Sequence, residues 1–434
     1  MNAIPRLETS LTGPLLAIEQ AFLDRQHDIE HWFHQQWQHI PPPFYTSVDI
    51  RNAGFKVAPV DTNLFPAGFN NLHSDSDLLC LPALESAVLR YCPTANSVLV
   101  IAENHTRNQF YLDSLARLSD LISRSGFKVR IGQIGIDQPV DHVLPNGSGL
   151  TIYPVEWDEY LYAGEGFSPC AILLNNDLSS GAPSILEGLA DSEGQHVIPP
   201  VDLGWHQRTK LENFMAYEAV TQKFSHEMGI DPWILSPLYT DREIMLDFDS
   251  ETSIEALQDE ASQLLHRIKH KYQEHNVDHD PFIMMKSNRG TYGMGVLSIT
   301  DAAQLEALNR KQRNKMKVGK EGVKIDNVVL QEGVFSFETI GQDKSVAEPV
   351  VYMIDHYVVG GFYRIHSRKG VNENLNSPGA KFKPLAMQSP LMSPDQEGKP
   401  DDEVNRFYAY GVIARLAMAA AAQEIDGAVS RKTG

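Results

Sequence analysis

Apolar positions change their period along the chain, and each change marks an element. Leu15, Ile18, Phe22, Ile29, Trp32 and Phe33 fall on or near one side of a helix over residues 14–37, which Pro41-Pro42-Pro43 ends. From residue 96 the pattern becomes strand, helix, strand. Short apolar runs at 98–102, 128–134, 150–155 and 170–174 read as buried strands, and residues 107–125 as a helix closed by Gly126. Such alternation predicts a mostly parallel, doubly wound sheet, in which ligands gather at the carboxyl ends of strands. Pro199-Pro200 and Gly204 mark a boundary between an N-terminal α/β domain (1–200) and an α+β domain (201–434). In the second domain, helices are expected over 205–228, 253–275, 301–311 and 403–424, the first carrying His206, Arg208 and Lys210 near its start. Strands are expected over 282–285, 296–299 and 327–330, with a hairpin from 348–359 that turns at Gly360-Gly361 into 362–366.

Polar residues that interrupt this pattern carry the candidate chemistry. The strand at 282–285 runs into Lys286, and Arg289, Gly290, Thr291, Tyr292, Gly293 and Gly295 follow. A strand ending in lysine, a glycine loop and a return strand suit a polyphosphate, held by backbone N–H groups and one fixed cation. A hairpin whose glycines only turn the chain has the same pattern. It is neither a Walker loop nor a dinucleotide fingerprint. Residues 47–72 are turn-rich, and Asp49, Arg51, Asp61, Asn63, Asn70 and Asn71 supply both charges and several amides. An amino-acid zwitterion needs such a set; a loop capping itself with Asx turns is the alternative.

Arg107, opening a helix, and Asn176 follow two strands of the parallel sheet, where an anion is favoured. The strand at 327–330 leads into Gln331, Glu332, Gly333 and Val334, whose backbone can meet an adenine edge. Arg364 lies on the return strand of the last hairpin. Glu373, Asn374 and Asn376 offer oxygens suited to Mg²⁺ held between protein and phosphates, or form an ordinary asparagine-rich loop. The basic run 310–320 is either a solvated charge run or a lid over phosphates. His27, His31 and His34 have helical ligand spacing, but no carboxylate or cysteine pattern completes a metal site, so they read as a solvated or partner-facing side.

Composition narrows the partners. A net charge of −19 over 434 residues argues against nucleic acid and anionic membrane. The N-terminus lacks a signal-peptide core, and no apolar run approaches the roughly eighteen residues a bilayer requires. Cys80, Cys92 and Cys170, odd in number and widely spaced, fit neither a disulfide framework nor a zinc site. A cytoplasmic protein acting on small molecules is expected, its oligomeric state left open, a homo-oligomer included.

The strings TNLFPAGFNNL, KSNRGTYGMGV and NENLNSPGAKF, with the order lysine strand, glycine loop, Gln-Glu strand end, Arg hairpin and Asn-rich loop, resemble the proteobacterial glutamate–cysteine ligase family of ATP-grasp type. The resemblance implies a pre-ATP-grasp-like N-terminal domain followed by an ATP-grasp-like domain, with ATP and Mg²⁺ as cofactors. It implies ligation of L-glutamate, activated as its γ-glutamyl phosphate, to L-cysteine, the first step of glutathione biosynthesis. By position, the resemblance implies that Lys286 contacts the α- and β-phosphates, residues 289–295 form the glycine loop, residues 331–334 form the adenine linker, and Arg364 meets the transferred phosphoryl group or the acyl phosphate. Another ATP-grasp carboxylate–amine ligase, or a nucleotide- or amino-acid-binding regulator without turnover, shares this plan. In many ATP-grasp enzymes an acidic residue on one late strand and a Glu-x-Asn on the next hold the metal. Here Glu373-Asn374-Leu375-Asn376 departs from that spacing, and Glu338, Glu348 and Asp355 are the other carboxylates on offer.

Overall fold

A computed structural model of the chain describes residues 7, 9–104, 108–158, 160–187, 194–290, 295–308, 325–385 and 405–433. Arg107, Thr291, Tyr292, Gly293 and the basic run 310–320 lie outside the described residues. Two helices open the chain, α1 (Ala17–Asp24) and α2 (Gln26–His39), where one was expected. Arg25 between them leaves helical geometry at φ −114°. The stretch expected to be turns then forms an antiparallel hairpin, β1 (Tyr45–Asn52) and β2 (Val57–Asn63). Its polar residues alternate with Val48 and Ile50, and in a strand that alternation puts the two kinds on opposite faces.

Next come α3 (Asp77–Tyr91), β3 (Ser97–Ile101), α4 (Gln109–Arg124), β4 (Lys128–Gln133), β5 (Val140–Val143), β6 (Gly149–Trp157), β7 (Leu161–Ala163), β8 (Ala171–Leu174), the one-turn α5 (Ser184–Glu187) and β9 (His196–Ile198). Strands β6-β4-β3-β8-β9 are parallel, with β5 and β7 antiparallel to β6. Asn108 caps α4 by accepting from Phe110 N at 3.1 Å, and Gly126 follows it at φ +100°. Cys92, at the end of α3, and Cys170, at the start of β8, are joined in a disulfide, contrary to the expectation that no cysteines pair. Parallel pairing of β3 with β8 brings together two positions 78 residues apart, a proximity that spacing cannot reveal. Cys80 remains free and buried.

The second half begins with α6 (Lys210–Met228), whose cap Thr209 accepts from Glu212 N at 3.1 Å. Strand β10 (Ile244–Met245), helix α7 (Glu251–Glu274), and strands β11 (Ile283–Ser287), β12 (Val296–Ile299) and β13 (Asn327–Glu332) follow. They make an antiparallel sheet of order β10-β13-β11-β12. Of the helix expected over 301–311, the described residues show a 3₁₀ turn, Ala302–Leu305. Strands β14 (Thr339–Ile340), β15 (Ser345–Ile354), β16 (Tyr357–His366) and β17 (Lys381–Pro384) return to the start of the chain. There β15 pairs with β1, giving the order β17-β16-β15-β1-β2, with β14 beside β15. This sheet takes strands from both sides of residue 200.

The β15–β16 hairpin turns at Asp355 (φ +54°), not at Gly360-Gly361. Those glycines lie inside β16 because it packs closely on both faces. A Cβ at Gly361 would stand 2.6 Å from Val350 O, and one at Gly360 would stand 2.7 Å from Ser76 Oγ. Strand β15 is buried throughout, so it reads as a nearly continuous apolar run. Ala347, Val351 and Met353 face the core built on α1, α2, α6 and the last helix, α8 (Tyr408–Thr433). Val350, Tyr352 and Ile354 face the core built on α3 and α4. A third core lies between α7 and the β10–β13 sheet.

Gly333, just past β13, has a requirement of a different kind: a Cβ there would fall within the buried ring of Phe282. Gly333→Ala is therefore expected to cost on the order of 1–3 kcal/mol, as overpacking does. Urea unfolding of the two proteins checks this, and an unchanged midpoint would contradict the packing.

Candidate active-site cleft

Strand periodicity builds the cleft. On β1, Val48 and Ile50 point into the core against α8, so Asp49 and Arg51 point the other way. On β15 and β16 the same outward face carries Glu348 and Arg364, which are direct cross-strand partners. On β2, Asp61 stands opposite Asp49. In the second sheet, Ile283 and Met285 of β11 and Val328 and Leu330 of β13 face α7, which turns Met284, Lys286 and Gln331 outward. The two outward faces meet. Asp49, Arg51, Asp61 and Glu348 from one side, Met284, Lys286 and Gly290 from the other, and Lys210, Val334, Asn374 and Asn376 line a single cleft.

Its charges are ordered by direct contacts. Arg51 Nε donates to Glu348 Oε2 at 2.7 Å, and Arg364 Nη1 donates to Glu348 Oε1 at 2.7 Å and to Asp49 Oδ2 at 2.6 Å. Arg51 also donates to Val334 O at 3.2 Å and Glu373 O at 2.5 Å, tying the Asn-rich loop and the end of β13 to β1. Lys286 Nζ donates to Gln331 Oε1 at 2.7 Å and Val60 O at 2.5 Å. Lys210 Nζ pairs with Asp61 Oδ1 at 3.1 Å and sits 4.3 Å from the centre of the Trp205 ring.

Burial works against every one of these charges. It pushes the Lys286 ammonium down to about 8, with Asp61 opposing and Lys210 and Arg51 assisting. Burial also acts to raise Glu348, but Arg51 and Arg364 hold it below the usual carboxylate value. At Asp49 burial, with the charges of Glu348 and Asp61, outweighs Arg364 and the carboxyl is raised. At Asp61 burial is outweighed by Lys210 and Lys286, and the carboxyl is lowered.

A sequence model of the family described as glutamate-cysteine ligase matches residues 19–425. The chain belongs to the glutamate–cysteine ligase family. A solved structure named "Putative gamma-glutamylcysteine synthetase", from Methylobacillus flagellatus KT, is 48% identical to this chain. The match covers 98% of this chain and 99% of that one, at a TM-score of 0.84. Two further matches are D-alanyl-alanine synthetase A from Vibrio cholerae (10% identity, 75% and 81% covered, TM-score 0.35) and a glutathione synthetase-like effector from Globodera pallida (10% identity, 88% and 88% covered, TM-score 0.37). At those scores neither carries an argument about the fold. No curated protein matches the chain. The ligase joins L-glutamate to L-cysteine in glutathione biosynthesis.

The ligase's cleft takes in Asp49, Arg51, Asp61, Lys286, Gly290, Gly295's neighbour Val296, Val334, Asn374 and Asn376, residues drawn from distant parts of the chain. Gln331 reaches it through Lys286, and Arg364 through Asp49 and Glu348. Gly295 stands at φ +63° at the start of β12, and Arg289 is exposed. Other candidates are occupied elsewhere. Asn63 accepts from Phe65 N at 3.0 Å, and Asn176 accepts from Leu178 N at 3.0 Å, each shaping a turn. Asn70 and Asn71 belong to the 3₁₀ turn Phe69–Asn71, and neither lines the cleft. The Glu332 carboxylate is buried against Lys56, and the Glu373 carboxylate binds Lys369 Nζ and Gly370 N. Of the charged residues that line the cleft, strand and motif reading left Lys210 out of the site and reached Glu348 only as an alternative metal carboxylate. A basic helix start and a carboxylate inside an apolar strand were their only signals.

Of the alternative metal carboxylates, Glu338 is enclosed by Tyr363, Tyr410 and Ser10, and Asp355 pairs with Arg90 at the hairpin turn. Glu348 alone of the three lines the cleft. Among the described residues no group of three or more His, Cys, Asp or Glu is placed to hold a metal unaided. Mg²⁺ asks for one or two carboxylates when phosphates supply other oxygens. Asp49, Glu348, Asn374 and Asn376 are the oxygen-bearing side chains on offer for an ion shared with substrate, and Arg51 and Arg364 already bond both oxygens of Glu348 while Arg364 bonds both of Asp49.

Burial lowers the Lys286 pKa, so a role for it as a phosphate-binding cation would be lost as pH rises through about 8. The ligation kcat/KM is therefore expected to be level below that pH and to fall above it. Lys286→Arg, cationic throughout, should shift the fall upward. A wild-type profile still level well into the alkaline range would exclude Lys286 as the group responsible.

Proposed function

We propose that this cleft binds ATP between its two sheets and transfers the γ-phosphoryl group to the γ-carboxylate of glutamate. The cysteine amine then attacks the γ-glutamyl phosphate, forming the amide bond and releasing phosphate. The observation that carries the reading is the joint presence of Lys286 and the Asn374–Asn376 amides in one cleft, although they are far apart in sequence. Phosphoryl transfer asks chiefly for positioning and charge neutralisation, not for a protein nucleophile.

In this reading Lys286 and Lys210 receive the phosphates, and residues 331–334 border the adenine as an ATP-grasp linker. Arg364 stabilises the acyl phosphate from its place between Asp49 and Glu348. Asp49, Asp61 and Arg51 border the amino-acid side. Glu348, Asn374 and Asn376 would hold Mg²⁺, whose charge would help to neutralise the phosphates. The Asp49 carboxyl, raised by burial, is suited to accept the proton of the cysteine ammonium. No helix among the described residues is long and apolar enough to cross a membrane. Dependence on ATP supports the cytoplasm as the compartment of this reading. The Cys92–Cys170 pairing removes the cysteine count as an argument for that compartment.

With ATP and Mg²⁺ supplied, phosphate is expected to appear only when glutamate and cysteine are both present. Release that ignores cysteine would refute the reading. Lys286→Ala, folded as the parent is, should lose about 1.5–3 kcal/mol of transition-state binding, or roughly 10- to 150-fold in kcat/KM. An unchanged rate would remove Lys286 from the site.

A further inference from the structure

The side chains of one ion pair beside the cleft are not used by this chemistry, in which Glu332 takes part only through its backbone as part of the adenine linker. Lys56, in the connection between β1 and β2, donates from Nζ to Glu332 Oε2 at 2.7 Å, and the two side chains are 1% and 0% exposed. The Glu332 carboxylate is saturated, for it also accepts from Leu238 N at 2.8 Å and Trp233 Nε1 at 3.2 Å. Lys56 Nζ stands 4.2 Å from the centre of the Trp233 ring. Neither residue lines the cleft. Burying such a pair is a poor way to gain stability, because apolar residues of similar volume serve as well or better. Its geometry offers a different reason. Glu332 lies between Gln331, which holds Lys286, and Val334, whose carbonyl holds Arg51. Lys56 belongs to the same hairpin that carries Asp49, Arg51 and Asp61.

We infer that Lys56 and Glu332 are positioning residues for the ligation: their ion pair fixes the end of β13 against the β1–β2 hairpin, and so sets the separation between the phosphate-binding and amino-acid-binding sides of the cleft. The inference rests on the reading given under Proposed function. Hydrophobic contacts tolerate sliding, whereas a charge-assisted bond with three fixed donors has one geometry. Burial pushes the Lys56 ammonium down to about 8 despite Glu332, which shows how fully this contact is withdrawn from water.

The test separates registration from stability. In Lys56→Met/Glu332→Gln no charge is left buried without a partner, and the amide oxygen that replaces the carboxylate still accepts from Leu238 N and Trp233 Nε1, so the double variant should melt close to the parent. Its kcat is expected to fall at least tenfold, while the KM values for ATP, glutamate and cysteine change less than threefold. Parental kcat in the folded double variant would overturn the inference. Trp233→Phe, which removes one donor to Glu332 and leaves both charges in place, serves if the double variant does not fold. A severalfold loss of kcat with little change in melting supports the pair's role, and an unaltered kcat overturns it. Lys286→Ala is measured alongside. If it too is fully active, the site reading has failed; if it is inactive while the Lys56 and Trp233 variants are not, only the present inference has.

Discussion

A line of four buried charges, Arg51–Glu348–Arg364–Asp49, is the constraint on which the rest of the molecule depends. Charges withdrawn from water are tolerated only when each is paired and hydrogen-bonded, and removing one partner of such a set typically costs about 3–5 kcal/mol. Here the four charges are paired across three neighbouring strands, β1, β15 and β16, with the buried Arg364 Nε left without a hydrogen-bond partner. Two of these strands come from opposite ends of the chain, so the cleft's charges exist in order only once the whole chain has folded. In this way fold and site are one interaction. The sheet cannot slip by a residue without turning these charges into the core beneath α8 and the core residues into the cleft.

Because the cations are held by protein carboxylates and carbonyls, they are ordered before any substrate arrives. That is what phosphoryl transfer in a cleft of this kind asks for: fixed positive charge, whose orientation is not purchased during the reaction. It also distributes labour. Arg51 has its donors committed to Glu348 and to the carbonyls of Val334 and Glu373, so it braces the Asn-rich loop as much as it faces a substrate. Lys210 pairs with Asp61 and the charge of Lys286 acts on the same carboxylate; in the proposed reading an incoming polyphosphate would compete for both lysines.

Chain order and spatial order disagree here, and that shapes the architecture. The parallel sheet of β3, β4, β6, β8 and β9 is built from one continuous stretch. The sheet that floors the cleft joins residues 45–63 to residues 339–384, and α8 closes over its far face with closely packed alanines. The β10–β13 sheet brings the lysine strand to the opposite wall.

The chain's residues alone determined what is local. Short apolar runs gave β3, β4, β6, β8, β11 and β13, because a strand covered on both faces is apolar along much of its length. A lysine ending an apolar run gave Lys286, and three long strings gave the family. Long-range pairing decided the remainder. The turn at Asp355 rather than Gly360-Gly361, the strands within residues 47–72 and the Cys92–Cys170 bond all depend on which segment lies alongside. So does the division of the asparagines: Asn374 and Asn376 reach the cleft, while Asn63 and Asn176 shape turns, although all carry the same amide. A side chain's type fixes the bonds it can make, but only the packed chain fixes which partner stands within three ångströms of it.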